Sequence, residues 1–440
     1  MASERRTVLV VAPADRGHFT WAVNILPYLN ERGFLCEVWT HEISARWVEG
    51  AGVQVEPHLG DGSGLMSLVG AYKHASSFGD SDVEGCEHAW SKDLAGFKAA
   101  AVTLGAPGFE QHADLAISPE GRVKLETRLR QPDVAAVLWE RVHTSWVGEA
   151  ARAAGRPSLG VNPSYLNCFR ARTGHPFWGP DGENCIRQTI EHIEPLVQAQ
   201  DLRLTFTLAA VLRPEVAPPN GIAVVGAILP RQQVPISDQT LQIWLDGADL
   251  SDSNSQRVTL IALGSQSTLD CLSPHAATSL LLGCLRAGSG RVLAIMDPET
   301  PQKHPETTTA VAEGRLVVRR VIPQAAVLAH PHVRAMIGHC GANGTHEAMA
   351  ASVTVVSLPF FDDQHYIADR LDSLYGSPAT RLSKKVLRDE DPEDAIRQVA
   401  RAVTAAWLVP QHTLSQLARE VNEDNGGVAL TNMVCAMVQA

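Results

Sequence analysis

Along this chain, short runs of consecutive apolar residues alternate with longer stretches in which apolar positions recur every three or four residues. The first pattern suits strands buried on both faces and the second suits amphipathic helices, so together they predict βα units on parallel sheets. In the first half, "TVLVVAP" reads as a strand, Thr20 to Arg32 as a helix ending at Gly33, and "LCEVWT" as the next strand. Pro27 removes an amide from that helix and predicts a kink or a division into two pieces. "VAAVLW" (134–139) and "RPSLGV" (156–161) read as later strands with a helix between them. Residues 60–125 mix Gly, Ser, Asp and His without a clear period, which predicts helices and loops of no definite bounds. Five prolines crowd the stretch "RPEVAPPNGIAVVGAILPRQQVPISD" (213–238), where a domain boundary is expected. Beyond it the rhythm restarts in "RVTLIALGS", "RVLAIMD", "GRLVVRRVIP", "VRAMIGH" and "VTVVSLP", five strands of a second doubly wound domain.

Composition narrows the class. At 440 residues the chain exceeds one ordinary core, and two domains of about 200 residues each are expected. A formal net charge of -11, with no run of Lys or Arg, disfavours nucleic acid or an anionic membrane as partner. Eight cysteines are scattered without CxxC pairs, which predicts reduced thiols and a cytoplasmic location. The opening "MASERRTVLVVAPAD" reads as a first strand rather than a leader, because Asp15 follows its short apolar core at once. "VALTNMVCAMVQA" near the C-terminus falls short of the ~20 residues that span a bilayer, so no membrane anchor is expected.

The densest chemistry lies in "MIGHCGANGTHEAMAASVTVVSLPFFDDQH" (336–365). A strand ends at His339, and a helix is expected to begin near Asn343. Such a turn points amide N–H groups and the positive end of a helix dipole outward, which suits an anion. Gly341 and Gly344 would let a phosphate approach the backbone, and Glu347, one turn in, could accept hydrogen bonds from vicinal hydroxyls. The same residues also suit a plain helix capped by Asn343 beside a core histidine.

The surroundings of the loop carry a resemblance. "VIPQAAVLAH" (321–330) precedes it and "LPFFDDQHYIADR" (358–370) follows, giving Pro-Gln, Leu-x-His, H-x-G-x-N-x-x-x-E and P-x-x-x-D-Q in that order. This order resembles the nucleotide-sugar signature of family 1 glycosyltransferases, the UDP-glycosyltransferases of GT-B fold. "RGHFTWAVNILPYLNERGFLCEVWT", "AVVGAILP" (223–230) and "LIALGSQS" (260–267) are similar to that family's opening motif, linker and Gly-Ser loop. With Val321 where plant members have Trp, the chain looks closer to microbial or fungal members.

The resemblance implies a GT-B α/β architecture: two Rossmann-like doubly wound parallel-sheet domains facing across a cleft. Residues 1–230 would bind the acceptor, with a helix in 416–440 crossing back onto them, and 236–415 would bind the donor. It assigns the uracil to Gln324 with Ile322 or backbone contacts, and the diphosphate to His339, Asn343, Gly344 and Thr345, with Gly341 in the same turn and Ser265 from the Gly-Ser loop. Glu347 falls to the ribose, and Asp363 and Gln364 to the transferred sugar. Retention of Glu347 favours UDP over dTDP, and Gln364 favours glucose. The implied reaction is an inverting transfer with no metal and no covalent intermediate, from a UDP-sugar to a small lipophilic or phenolic acceptor.

His18 matches the family's catalytic base, a role an imidazole suits near neutral pH. Its usual Asp partner is missing after Pro132-Asp133, and Glu140 is the nearest acid. Trp21 either borders the acceptor pocket or packs in the core. Phe78, Trp90, Phe97, Trp139, Phe169, Phe177 and Trp178 are candidates for an apolar acceptor pocket. The D-x-D runs at 80–82 and 389–391 sit in polar stretches and read as acidic surface. His330, His332 and His339 lack a metal-ligand spacing. "PADRGH" after the first strand is not a dinucleotide fingerprint. Two other readings remain open: a nucleotide-sugar epimerase of the same fold, and a nucleotide-sugar-binding protein in which the missing Asp and the altered opening motif mark lost turnover.

Overall fold

The computed structural model of the chain describes residues 6–48, 53–60, 118–140, 144, 146–162, 204–213, 222–231, 235–247, 257–264, 272–288, 290–360, 363–387 and 391–439. Two compact units emerge, Met1–Arg231 with Asp424–Ala440, and Gln232–Glu423.

The first unit is built on a seven-stranded parallel sheet: β1 (Thr7–Val11), β2 (Leu35–Trp39), β3 (Gln54–Glu56), β4 (Val134–Glu140), β5 (Ser158–Asn162), β6 (Leu204–Thr207) and β7 (Ile222–Val225). Spatial order is β3-β2-β1-β4-β5-β6-β7, so β1 and β4 adjoin where the winding reverses. Val11 pairs with Trp39 on one side and Trp139 on the other. After β1 comes α1 (Arg16–Glu31), which lays Phe19, Trp21, Ala22, Ile25, Leu26 and Leu29 on the sheet. Trp21 is 1% exposed and belongs to this core rather than to a pocket wall.

Two expectations about α1 change. It begins four residues earlier than the apolar period suggested, because Asp15 caps it by accepting from the Gly17 amide at 3.1 Å. It also runs through Pro27 as one helix. Pro27 lies on the exposed side, and the buried Ile25, Leu26 and Leu29 carry the helix past the missing amide.

Leu430, Val434 and Met437 of the closing helix (Gly426–Gln439) complete the core of this unit. The return to the first unit therefore falls at Asp424 rather than at residue 416. The helix before it, Gln411–Glu423, packs on the second unit, where Asn422 donates to the Ala350 carbonyl.

In the second unit the sheet has five parallel strands, β8 (Val258–Ala262), β9 (Arg291–Ile295), β10 (Leu316–Arg319), β11 (Val333–Gly338) and β12 (Thr354–Ser357), in the order β10-β9-β8-β11-β12. Its reversal lies between β8 and β11, with Ala262 paired to Gly338. Helix α2 (Ala342–Ala350) follows β11 and α3 (Asp363–Tyr375) follows β12. Of the scattered thiols, Cys36, Cys284, Cys340 and Cys435 lie among the described residues and all are free. Burial pushes Cys36 and Cys340 up to about 12, so they stay protonated and unreactive near neutral pH.

An ion network, buried at Glu37 and open to solvent at Asp133, ties β2 to the start of β4 in the first sheet. Glu37 on β2 is 3% exposed and accepts from Trp39 Nε1 at 2.7 Å and from Arg128 Nε at 2.9 Å. Arg128 also grips Asp133 through both terminal nitrogens, at 2.9 and 2.7 Å, and holds that carboxyl down to about 2. Arg128→Met leaves Glu37 buried without its cation and is expected to cost about 3–5 kcal/mol in urea denaturation. Because the Asp133 carboxyl is depressed in the folded state, the stability it contributes is present above the ordinary Asp range and is lost as pH falls toward 2. The variant therefore shows a shallower acid limb than the parent.

Candidate functional site

Winding reversals open the carboxyl edge of each sheet, and the candidate residues collect there. In the first unit, the loop after β1 delivers His18 to the first turn of α1, and Glu140 is the last residue of adjacent β4. His18 Nδ1 and Glu140 Oε1 stand 2.9 Å apart, with the carboxylate fully buried and the imidazole 17% exposed. A carboxylate on Nδ1 fixes the tautomer and leaves Nε2 as the basic nitrogen. His41, just past β2 and 1% exposed, accepts from the Ala14 amide at 3.0 Å and so shapes the loop that leads to Asp15 and His18. Sequence reading passed over His41, which carries no motif; its place just after the second strand of a doubly wound sheet was the available signal.

The second unit assembles its edge around His339. The ring lies between two glycines: a Cβ on Gly264 would come within 2.8 Å of Cε1, and one on Gly341 within 2.3 Å of Nε2. Gly264 further requires a φ of +98°. Next to the imidazole, Cys340 turns the chain in the left-handed region at φ 61° and hides its thiol. This sharp turn starts α2 one residue earlier than expected, so the N-cap is Gly341 and not Asn343, and no side chain caps the helix. Backbone donors of the first turn thus meet the positive end of the helix dipole, the arrangement that accommodates an anion.

Thr345 does not share in that edge. Its amide donates to the Gly341 carbonyl at 3.0 Å and its side chain is 1% exposed, which turns both away from an incoming anion. Gln324 and Glu347, remote in sequence, meet where Gln324 Nε2 donates to Glu347 Oε2 at 2.8 Å. Gly344 sits beside them, since a Cβ there would lie 3.4 Å from Gln324 Nε2. In the loop just before, Ile322 is buried and Val321 is 61% exposed, so the Ile322 side chain is turned inward. Asp363 and Gln364 open α3, nearly buried, and the Gln364 carbonyl oxygen accepts from the Phe360 amide at 2.9 Å.

Several candidates fall elsewhere. Ser265, Phe78, Trp90, Phe97, Phe169, Phe177, Trp178 and the acidic run at 80–82 lie outside the described residues. Trp139 is 1% exposed within β4 and packs against Gly148. Asp391 caps the helix Pro392–Leu408 by accepting from the Asp394 amide. His330 and His332 precede β11, at the opposite end of that strand from His339, and bind Asp246 at 3.0 Å and the Leu245 carbonyl at 2.7 Å.

Residues 284–404 match the family described as UDP-glucoronosyl and UDP-glucosyl transferase. Mogroside I-E synthase of Siraitia grosvenorii is 35% identical over 147 residues, 33% of this chain and 29% of that one. Anthocyanin 3'-O-beta-glucosyltransferase of Gentiana triflora is 25% identical over 201 residues, 44% and 37% of the two chains. The chain thus spans about a third of the length of these curated relatives. Among solved structures, Arabidopsis thaliana UGT89C1 in complex with quercetin superposes with a TM-score of 0.65 over 99% of this chain and 100% of its own, at 19% identity. The glycotransferase of kitacinnamycin gives 0.61 over 99% of both chains at 17% identity. The two parallel-sheet α/β units thus match those of GT-B glycosyltransferase structures.

Gly264→Ala places an L-residue at a positive φ and drives a methyl into the His339 ring. It is expected to cost about 1–3 kcal/mol in urea denaturation and to shift the His339 imidazole signals in NMR spectra.

Proposed function

We propose that the chain is a family 1 UDP-glycosyltransferase that transfers a hexose, glucose foremost, from a UDP-sugar to a hydroxyl of a small lipophilic or phenolic acceptor. The observation that carries this reading is the His18–Glu140 pair, a carboxylate-oriented imidazole at the switch point of one unit. Names of relatives support the substrate classes: one glucosylates an anthocyanin, and fold neighbours were solved with quercetin and with UDP-glucose.

His18 Nε2 takes the proton from the acceptor hydroxyl as its oxygen bonds to the anomeric carbon. Glu140 stabilises the imidazolium that forms. UDP departs from the opposite face with the electrons of the broken C–O bond, so configuration inverts. The charge that grows on its diphosphate falls to the uncapped turn of α2 and to His339, and no metal is called for. Glu347 holds the ribose hydroxyls, and Asp363 and Gln364 hold the sugar. Of the two features that suggest lost turnover, the missing Asp and the altered opening motif, the first is met by Glu140, whose carboxylate lies 2.9 Å from His18.

Calorimetric titration with UDP and with dTDP, in EDTA, tests the donor half. Binding that prefers UDP and ignores the chelator is expected, and binding of neither nucleotide would sink the proposal. Glu347→Ala should weaken UDP by about 1.5–3 kcal/mol, the loss of a charge-assisted hydrogen bond. His18→Ala should lower the transfer rate by about 10²–10⁴-fold while the UDP dissociation constant stays put. Tight UDP binding without transfer to any of a panel of phenolic acceptors would return the chain to the class of binding proteins.

A further inference from the structure

Helix α1 carries His18 in its first turn, and what fixes that helix also fixes the distance from His18 to Glu140. The chain passes out of the first unit after Arg231 and re-enters it at Asp424. Within the unit, both of these segments lie along the far half of α1. Arg231 pairs with Glu31 and sits 5.2 Å from the centre of the Tyr28 ring. On re-entry, Gly427 packs so closely on Tyr28 that a Cβ would stand 2.5 Å from it. The two segments are joined to each other where the Gly426 amide donates to the Ala227 carbonyl at 3.0 Å. Asp424 fastens the second of them by accepting from the Ala210 amide and from Arg213, each at 2.7 Å.

Within the continuous α1, Pro27 removes one of the hydrogen bonds that join its two halves. It lacks the amide that would tie it to the turn before, so the half holding Tyr28 and Glu31 is coupled less firmly to the half holding His18. Asn24 ties the other half directly: its Nδ2 donates to the Ile228 carbonyl at 2.7 Å, on the His18 side of Pro27. Six residues, about 9 Å of helix, separate it from His18.

We propose that Asn24 is a positioning residue for His18: it fastens the proximal half of α1 to the segment by which the chain leaves the unit, and thereby holds the imidazole at its distance from Glu140. The assignment rests on His18 being the base proposed above. Displacement of a reacting group by about 1 Å costs up to about a hundredfold in rate, so a remote tether can matter.

The test compares Asn24→Asp, which keeps the shape and loses the donor, with Asn24→Leu, each alone and with His18→Ala. Both single variants should lower kcat by about tenfold while the KM for UDP-glucose, the UDP dissociation constant and the melting temperature hold. In the His18→Ala background neither should lower the residual rate further, because Asn24 acts through His18. Should Asn24→Leu melt early, the isosteric Asn24→Asp carries the test alone. Unchanged kcat, or a loss that adds to that of His18→Ala, overturns the proposal. NMR of histidine-labelled protein decides the question without substrate: the His18 imidazole signals should move in Asn24→Asp in the direction they move in Glu140→Gln. If they stay in place, the tether is refuted even where no transfer is found, so its failure and that of the proposed activity are told apart.

Discussion

A parallel sheet wound outward from its centre in both directions must send the crossovers of its two halves over opposite faces, and the loops that leave the two central strands part from each other. The gap between those loops is a geometric necessity of the winding, and both units of this protein place chemistry in it. At β1 and β4 it brings together His18 and Glu140, 122 residues apart in the chain. At β8 and β11 it sets Gly264 against His339. Neither pairing follows from local propensity, since each joins loops that are distant in sequence and adjacent through the order of strands.

The two edges solve opposite problems. In the first unit a fully buried carboxylate must be satisfied, and an imidazole that is itself 17% exposed is held against it. In the second unit space is the constraint. An imidazole is wedged between two backbones that tolerate no Cβ, and the chain then reverses at Cys340 through a conformation that non-glycine residues seldom adopt. Strain of this kind persists only where surrounding packing imposes it. Here β11, β12 and α2 do so, and the result is a helix that starts with glycine in place of a capping side chain.

Much of the architecture was legible in the sequence because apolar periodicity is a local signal. The five strands of the second domain and the proline-marked boundary could be read that way, and the composite motif from Val321 to Arg370 carried the donor assignment. What escaped reading was decided by single side chains or by tertiary packing. Asp15 moved the start of α1, buried apolar residues carried that helix past Pro27, and Gly341 took the cap expected of Asn343. Thr345 looked like a ligand on motif grounds, yet a helix only nine residues long turns that position inward. The meeting of Gln324 with Glu347 required the fold itself, since they stand 23 positions apart with a strand between them. Glu140 was the nearest acid in sequence, but only the register of β4 beside β1 brings its carboxylate to the imidazole.

The closing helix has one more consequence, for the order in which the molecule can assemble. Leu430, Val434 and Met437 are part of the core that packs α1 against its sheet. The first unit therefore lacks a piece of its interior until residues 426–439 have been synthesised. The second unit is one contiguous segment, Gln232–Glu423, and is complete before that moment. Synthesis at about 5–20 residues per second leaves the earlier segment waiting for ten seconds or more. The second unit can thus be complete before the first, the reverse of the usual amino-to-carboxyl sequence of domain folding.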